Sequence, residues 1–314
     1  MRAPPMVPEP QFESALVLLN PRAAGGRAAR IAEPLRRWLE AQGAGATLSV
    51  AADAAEARSV LLGRPAGSRV VLIGGDGTLH QMLPALLARQ LSVGLVPVGS
   101  GNDMARALGL SGLRWDAALA IALHGAACRC DVGELVIGDA GVPFASSLAV
   151  GFDAAVARRA ADGPAWLGGL PRYLWATLSE LAALRRLRVR AIVDGTLAHD
   201  GEALFASCLN TPSYGAGMPA VPHARIDDGR LDLLVAGRFG RLGALAMLPR
   251  LLTGTHLGHA RVSTAAFSEL QLECDDALPL AADGEPLGAA RKFAVRVLPG
   301  ALQVVSASGT LPPR

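Results

Sequence analysis

The sequence predicts an α/β protein in which a doubly wound parallel sheet is followed by an antiparallel β domain. In the first part of the chain, four apolar strand-like runs each precede a helix-like segment. That alternation is typical of a parallel sheet covered by helices. From about residue 126 onward, strand-like runs follow one another through short turns, which favours antiparallel pairing.

The elements follow from the spacing of apolar residues. The first four predicted strands are SALVLLN (14–20), ATLSVAA (46–52), RVVLIGG (69–75) and LSVGLVPV (91–98). Helices are expected after each of them, the clearest at 27–43. The second part contains the strand-like runs 128–138, 143–152, 187–199, 202–210, 230–237, 269–276 and 293–300, and it has only two clear helical segments.

Composition excludes several classes of protein. With 314 residues, 51% hydrophobic and 18% charged, the chain is long enough for two domains. The net charge is +3 and Lys292 is the only lysine, so no basic run predicts a nucleic-acid partner. We find neither a signal peptide nor an apolar run long enough to span a bilayer, and we expect a cytoplasmic protein. The four cysteines Cys128, Cys130, Cys208 and Cys274 lack metal or disulfide spacing and are predicted to be buried free thiols.

The stretch VVLIGGDGTLHQML (70–83) places glycines directly after a predicted strand and before a helix. In open α/β sheets, ligands bind at this edge, and glycine lets a phosphate approach backbone N–H groups. Thr78 and Gln81 have the spacing of a capping box, which predicts that the helix begins there. Asp76 would repel a phosphate unless it holds a metal ion or its water. For this loop alone, a simple tight turn is an equally good interpretation.

Two similar loops follow neighbouring strands. Gly99, Ser100 and Gly101 precede Asn102 and Asp103, which are expected to cap the next helix. After the first strand, the stretch NPRAAGGRA (20–28) brings another glycine-rich turn to a helix N-terminus. Together the three loops predict a nucleotide site formed by consecutive strand ends.

The motifs NPRAAGG, GGDGT, GSGNDMAR and DGEP, in this order, resemble those of the diacylglycerol kinase catalytic family, which includes bacterial lipid kinases and sphingosine kinases. The resemblance implies a nucleotide-binding α/β domain over 1–130, joined by segment 300–314, and a β-sandwich lipid-acceptor domain over 131–299. It implies transfer of the γ-phosphoryl group of ATP, with Mg²⁺, to a primary hydroxyl of a lipid. Catalysis would take place in the cleft between the domains.

The resemblance also implies residue roles. The expected nucleotide-binding residues are Asn20, Ser49, Gly74, Gly75, Asp76, Gly77, Thr78, Ser100, Gly101, Asn102 and Arg106. Asp76, Asp103 and Asp131 resemble a trio of acids that organises the catalytic Mg²⁺. Glu285 matches the general base, and Asp283 in the same turn is also expected to be a catalytic residue, although a D-G pair alone indicates only a hairpin turn. Asp228, with the main-chain carbonyls of Arg225 and Arg230, resembles a structural Mg²⁺ site, and a plain acidic turn is the alternative.

This sequence departs from the family pattern at several positions. His80 and Gln81 stand where the family usually has Asn-Glu, so any role of that glutamate is lost. Ala24 replaces a usual glycine of the first loop, and Arg27 stands near a lysine of relatives. The acids expected to take part in chemistry are all present.

The acceptor is the least determined feature. Segment 166–190 combines Trp166, Tyr173 and Trp175 with five arginines, Arg172, Arg185, Arg186, Arg188 and Arg190. Such residues suit a lipid headgroup interface. The alternative is that the rings pack in the core of the β domain and the arginines face solvent. Diacylglycerol, phosphatidylglycerol, a sphingoid base and an isoprenoid alcohol all stay open as acceptors. So do a homodimer, peripheral contact with the inner face of the membrane, a kinase of a soluble acceptor such as NAD, and a catalytically silent nucleotide-binding module.

Overall fold

The computed structural model describes residues 15–42, 45–99, 101–164, 166–167, 169–184, 187–215 and 217–308. Its first half alternates strands and helices, as predicted. The strands are β1 (Leu16–Leu19), β2 (Thr47–Val50), β3 (Arg69–Gly74) and β4 (Ser92–Pro97). The helices are α1 (Ala32–Ala41), α2 (Ala54–Leu62), α3 (Asp76–Ala88), α4 (Asp103–Ala107) and α5 (Trp115–His124), with a 3₁₀ turn at Arg27–Ile31.

These strands form a parallel sheet in the order β2-β1-β3-β4. Every residue of β1 and β3 is buried, because helices cover both faces of the sheet. Alternate residues of β3 therefore belong to two different cores, Val70 and Leu72 to one and Val71 and Ile73 to the other. The predicted parallel domain is confirmed.

The second half is mainly antiparallel. Its strands are β5 (Ala127–Ile137), β6 (Ala140–Phe144), β7 (Ser147–Val150), β8 (Leu187–Val193), β9 (Thr196–Leu209), β10 (Leu231–Gly237), β11 (Val262–Phe267), β12 (Glu269–Ala282) and β13 (Glu285–Val305). They form the sandwich around a core of their own. The helices of this half are α6 (Phe152–Ala161), α7 (Gly169–Ala182) and α8 (Arg241–Leu252). The sequence predicted only two clear helices here, whereas the described part of this half has three.

Strand β13 joins the two halves. It pairs in antiparallel fashion with β12 and β5, and its far end pairs in parallel with β4 at Gln303 and Val304. Because of this strand, the parallel sheet and the sandwich are one hydrogen-bonded system. The turn that precedes β13 is therefore held at a fixed position relative to the ends of β3 and β4.

Two predicted helix caps are wrong. Helix α3 begins at Asp76, with the extended Gly75 as its N-cap, so Thr78 lies inside the helix and forms no capping box. Asn102 is the N-cap residue of α4, but it has a left-handed backbone (φ 55°) and its side chain does not cap the helix. Instead it bonds the backbone of Gly99, accepting from N at 3.1 Å and donating to O at 2.7 Å.

Other expectations concern single residues and the membrane. All four cysteines, which lie within the described residues, are free; Cys130, Cys208 and Cys274 are buried as predicted, whereas Cys128 is only half-buried. No helix in the described part of the chain is long and apolar enough to cross a membrane.

A polar contact fastens the turn before β13 to helix α3. The buried carboxylate of Asp283 accepts hydrogen bonds from the backbone N–H groups of Ala145 (2.9 Å), Ser146 (2.7 Å) and Ser147 (3.2 Å). The Nδ1 atom of His80, on α3, lies 3.1 Å from the same carboxylate. Burial lowers the pKa of His80, but the hydrogen bond and charge of Asp283, with the charge of Glu285, outweigh it and raise the pKa overall. The residue that departs from the family pattern is thus a contact between the two halves.

Arg69 is a second buried charge, and it secures α5. Its guanidinium Nη1 donates to the carbonyls of Ala122 (3.1 Å), Leu123 (3.2 Å) and Gly125 (3.0 Å) at the end of that helix. Carbonyls at a helix C-terminus lack partners within the helix, so a buried cation there satisfies several of them at once. Burial lowers the pKa of Arg69 below its ordinary value.

Arg69→Met should lower the free energy of unfolding by about 2–3 kcal/mol, because it leaves buried carbonyls without a donor. Urea denaturation followed by circular dichroism measures the change. Arg58→Met, at an exposed position of α2, is the matched control and should change stability by less than ~0.5 kcal/mol. Equal, small effects of both substitutions would contradict the assigned role of Arg69.

His80→Asn should make stability less dependent on pH. Because the pKa of His80 is raised in the folded state, its contact with Asp283 stabilises the fold fully at pH values below the ordinary pKa of histidine. This stabilisation is lost as pH rises through the folded-state pKa. Asn keeps a donor near the Nδ1 position but does not titrate. Between about pH 6 and pH 8 the native chain should therefore lose more stability than the variant. The control His124→Asn, at an exposed position, should behave like the native chain, and parallel curves for His80→Asn and native protein would refute the contact.

Candidate active site

The glycine loops after β3 and β4 touch backbone to backbone. A Cβ atom on Gly99 would lie 2.9 Å from the Cα of Gly75, and one on Gly75 would lie 3.1 Å from the Cα of Gly99. Both positions therefore require glycine because of this close approach. The two loops share one crevice at the carboxyl ends of their strands, and Ser100, between Gly99 and Gly101, lies outside the described residues.

Asp76 links the two loops. As the first residue of α3, it accepts from the N–H group of Asp103 at 3.2 Å and from that of Met104 at 3.5 Å. The start of α3 is therefore hydrogen-bonded to the start of α4. Burial raises its pKa to about 7, and the negative charges of Asp103 and Asp283 add to this effect, which the two backbone hydrogen bonds oppose. A carboxylate whose charge is disfavoured in this way is a good partner for a cation.

Asp103 extends the site into the second half of the chain. It is buried, and its Oδ1 atom accepts from the Ser213 hydroxyl at 3.2 Å and from the Gly217 N–H group at 3.1 Å. Arg106, one turn further along α4, packs on Gly217, where a Cβ atom would lie 2.8 Å from its guanidinium. The start of α4 is thus locked to the loop between β9 and β10.

Glu285 lies beside the glycine loop that follows β3. A Cβ atom on Gly77 would collide with the Oε1 atom of Glu285, so the absence of a side chain at Gly77 makes room for this carboxylate. A cleft of about 820 Å³ is lined by Gly75, Asp76 and Asp103 from the first half of the chain and by Glu285 from the second half. This arrangement can bind a phosphorylated ligand at backbone amides and place a base beside it.

Asn20 belongs to the same edge, whereas Ser49 does not reach the cleft. The Asn20 Nδ2 atom donates to the Thr78 hydroxyl at 3.0 Å, which connects the first loop to α3. Gly74 and Asn102 line a small recess behind the loops. Ser49 lies on β2, at the far edge of the sheet, and it is not among the residues that line the cleft.

Asp131 is the predicted acid that the structure keeps apart from Asp76 and Asp103. It is buried on β5, where it accepts from the N–H groups of Gly229 and Gly300, each at 2.7 Å. Burial raises its pKa; those two hydrogen bonds oppose the rise, and the charges of Asp228 and Asp227 reinforce it. Asp131 therefore stabilises the turn at 225–230 and does not line the cleft.

The predicted second metal site stays a prediction. Asp228 accepts from the N–H group of Arg230 at 3.1 Å, and Arg225 pairs with Asp227 at 2.9 Å. Within the described ranges, no three His, Cys, Asp or Glu side chains are grouped closely enough to hold a metal ion. The loop is therefore also explained as an acidic turn.

A buried acid in the cleft wall, Asp153, was not predicted. Asp153, in the first turn of α6, accepts from the hydroxyl groups of Tyr214 (2.8 Å) and Ser207 (3.1 Å). Burial raises its pKa to about 7, against the effect of these two hydrogen bonds. Its partners lie more than fifty residues away along the chain. The one signal in the sequence is an acid inside the apolar run SLAVGFDAAVA.

Asp153 lies between the polar cleft and an apolar cavity. With Tyr173 and Tyr214, it lines both the cleft and an apolar cavity of about 60 Å³ between α7, α8, β9 and β10. The remaining lining of the cavity is almost entirely hydrophobic. A ligand with a polar group in the cleft would thus meet apolar surface directly beyond it.

The aromatic residues of segment 166–190 lie partly at the protein surface and partly in the cleft wall. Trp166 is 82% exposed, Trp175 is partly exposed, and Tyr173 lines the cleft. Arg172 is not solvated as a free surface charge, because it donates to the carbonyls of Leu167 (2.7 Å) and Pro164 (2.9 Å). Arg188 pairs with Asp200, whereas Arg185 and Arg186 lie outside the described residues.

Comparisons with known proteins agree with this geometry. Residues 14–135 match the diacylglycerol kinase catalytic domain, and residues 146–306 match the YegS C-terminal NAD kinase beta sandwich-like domain. Three solved structures from Bacillus anthracis described as a diacylglycerol kinase superpose with TM-scores of 0.70–0.76 at 17–19% identity, over 96% of this chain and 98–100% of theirs. An NAD kinase from Archaeoglobus fulgidus superposes less well, with a TM-score of 0.51 at 11% identity over 93% of each chain.

Two sequence relatives cover almost the whole chain. A diacylglycerol kinase from Mycobacterium tuberculosis is 34% identical over 295 residues, which are 92% of this chain and 93% of that protein. A protein from Pseudomonas aeruginosa named "Probable lipid kinase YegS-like" is 30% identical over 308 residues, 95% of this chain and 96% of its own. The chain therefore belongs to the family of diacylglycerol kinases and YegS-like lipid kinases.

Proposed function

We propose that the protein transfers the γ-phosphoryl group of ATP to a primary hydroxyl group of a lipid, with Mg²⁺ as cofactor. The observation that carries the proposal is the shared wall of Asp153, Tyr173 and Tyr214 between an acid-lined cleft and an apolar cavity. A soluble acceptor such as NAD would have no use for that cavity. The Mycobacterium tuberculosis relative, a diacylglycerol kinase, supports the same acceptor class.

The nucleotide phosphates would bind at the touching glycine loops. Gly75, Gly77 and Gly99 have no side chains between their amides and the cleft, and the N-terminus of α3 adds a partial positive charge. Asn20, bonded to Thr78, supports the loop from the side. Positioning and charge neutralisation account for most of the rate in phosphoryl transfer, so a rigid cradle is what the reaction needs.

Asp76 and Asp103 are the residues that would hold Mg²⁺, directly or through water. Their carboxylate oxygens suit a hard cation, and a cation would offset both the burial and the repulsion by Asp103 that raise the pKa of Asp76. When bound, Mg²⁺ supplies positive charge to the phosphate oxygens. Asp131 would act only through the loop that it stabilises.

Glu285 would act as the general base. As the acceptor oxygen bonds to the γ-phosphorus, the bond from that phosphorus to the bridging oxygen of ADP breaks, and the hydroxyl proton passes to Glu285. Asp283 positions the base and does not take part in proton transfer, because its oxygens are occupied by three N–H groups and His80. The acceptor would lie beside Asp153, with its apolar part toward the cavity.

Incubation with labelled ATP, Mg²⁺ and a total lipid extract tests the proposal directly. We expect a labelled lipid, whose identity mass spectrometry determines, and no labelling of NAD in a parallel reaction. Labelled NAD without labelled lipid would favour the soluble-acceptor kinase, and binding of ATP without any product would favour a silent nucleotide-binding module.

Asp76→Asn should abolish measurable lipid phosphorylation, since an amide of equal size cannot carry the charge that attracts Mg²⁺. Thermal unfolding should show that the variant is folded. Asp139→Asn, at an exposed turn, is the matched control and should retain native activity. Full activity of Asp76→Asn at saturating Mg²⁺ would exclude Asp76 from the metal site.

Glu285→Gln should reduce kcat by about 10²- to 10⁴-fold, the usual cost of losing a positioned base, with ATP affinity nearly unchanged. Turnover on lipid micelles and calorimetry with ATP measure the two quantities on one preparation. Glu273→Gln, on the exposed side of β12, controls for loss of a charge in the same sheet. A Glu285→Gln variant with near-native turnover would mean that the base lies elsewhere.

A further inference from the structure

Helix α8 is apolar on both of its sides. Ala244, Met247, Leu248 and Leu251 face inward and line the apolar cavity. An outer face carries Leu242, which is 83% exposed, and also Leu245 (43%) and Leu252 (39%). Their spacing of three and seven residues puts these leucines on one stripe of the helix. A helix that is hydrophobic all round is normally covered on all sides, by protein or by lipid.

The segment of the chain that contains this stripe carries basic residues and no acidic ones. No acidic residue occurs between Asp232 and Glu269, whereas Arg238, Arg241, Arg250 and Arg261 lie in that interval. Arg238 pairs with Glu202, but Arg241 and Arg250 form no ion pair within the part of the chain that the structure describes. On the helical wheel these two arginines flank the stripe on either side.

We propose that the outer face of α8 docks on a lipid bilayer that contains anionic phospholipid. Leu242, Leu245 and Leu252 insert into the interfacial region, and Arg241 and Arg250 bind lipid phosphates. The inference rests on the proposed function, because a lipid kinase must reach an acceptor held in a bilayer. It also explains why the inner face of the same helix lines the apolar cavity, which docking would place directly beneath the membrane surface.

A second copy of the chain fits this face less well. Most dimers are symmetric, and a symmetric contact would bring Arg241 and Arg250 of both copies close together. The interval from Leu233 to Ser268 offers no carboxylate to pair with them. An anionic bilayer supplies both the apolar depth for the leucines and the negative charge for the arginines.

Sedimentation of the full chain with vesicles, without ATP, tests the surface. Native protein should bind phosphatidylglycerol-containing vesicles far more strongly than pure phosphatidylcholine, and less strongly as salt is raised. The pairs Leu242→Ser/Leu245→Ser and Arg241→Glu/Arg250→Glu should each weaken binding about tenfold or more. The control Leu62→Ser, at a position of α2 that is 50% exposed, should bind like native protein.

Phosphorylation of a lipid in detergent micelles separates this inference from the proposed kinase function. Micelle activity should be unchanged in both pairs of variants, since none of the four residues lines the cleft. If native protein shows no lipid kinase activity but the vesicle results hold, only the proposed function fails. If either double variant binds vesicles like native protein, the inference is overturned. It is also overturned if the Leu242→Ser/Leu245→Ser variant converts a dimer to a monomer but binds vesicles unchanged.

Discussion

The structure of the candidate active site depends on the buried carboxylate of Asp283. Three backbone N–H groups from 145–147 and the imidazole of His80 surround it, so the turn before β13 is held against both the sandwich and helix α3. A buried carboxylate is stable only when such partners are present. Since Glu285 lies two residues further on, this contact determines where that side chain enters the cleft.

Strand β13 carries this constraint across the molecule. It starts at Glu285 in the cleft and ends in the parallel sheet beside β4, whose following loop holds Gly99. Both walls of the cleft are therefore attached to one strand, and the distance between them is set by continuous β-pairing. Reaction sites that need precise spacing gain from such support, because small displacements of a base are costly. The part of the cleft beside α7 and α8 has less support, since these helices pack around a cavity.

Much of the fold and part of the site could be predicted from local patterns. The β-branched run of β3 and the glycines after it lie where the sequence predicts, because burial on both faces and a close backbone approach leave clear signatures. The capping box at Thr78 was wrong because the extended Gly75 lets the helix begin earlier and Asn20 takes up the Thr78 hydroxyl. Tertiary contacts of this kind leave no local signal.

The same limit explains what was missed. Asp153 is held by Ser207 and Tyr214, which the topology of β9 and its following loop brings from far along the chain. His80 looked like a departure from a family pattern, yet its partner Asp283 is 203 residues away. Asp131 is separate from Asp76 and Asp103 because its hydrogen bonds go to Gly229 and Gly300. The positions of the three acids in the sequence do not show which of them come together in the fold.

The central claim is that the Glu285 side chain lies in contact with Gly77 at the cleft. A double-mutant cycle tests this contact most directly. Gly77→Ala should lower kcat at saturating ATP in the native chain, because the new methyl group displaces the carboxylate. In the Glu285→Ala background, where nothing remains to be displaced, the same substitution should change kcat by no more than about twofold. An equal fold-loss in both backgrounds would contradict the account.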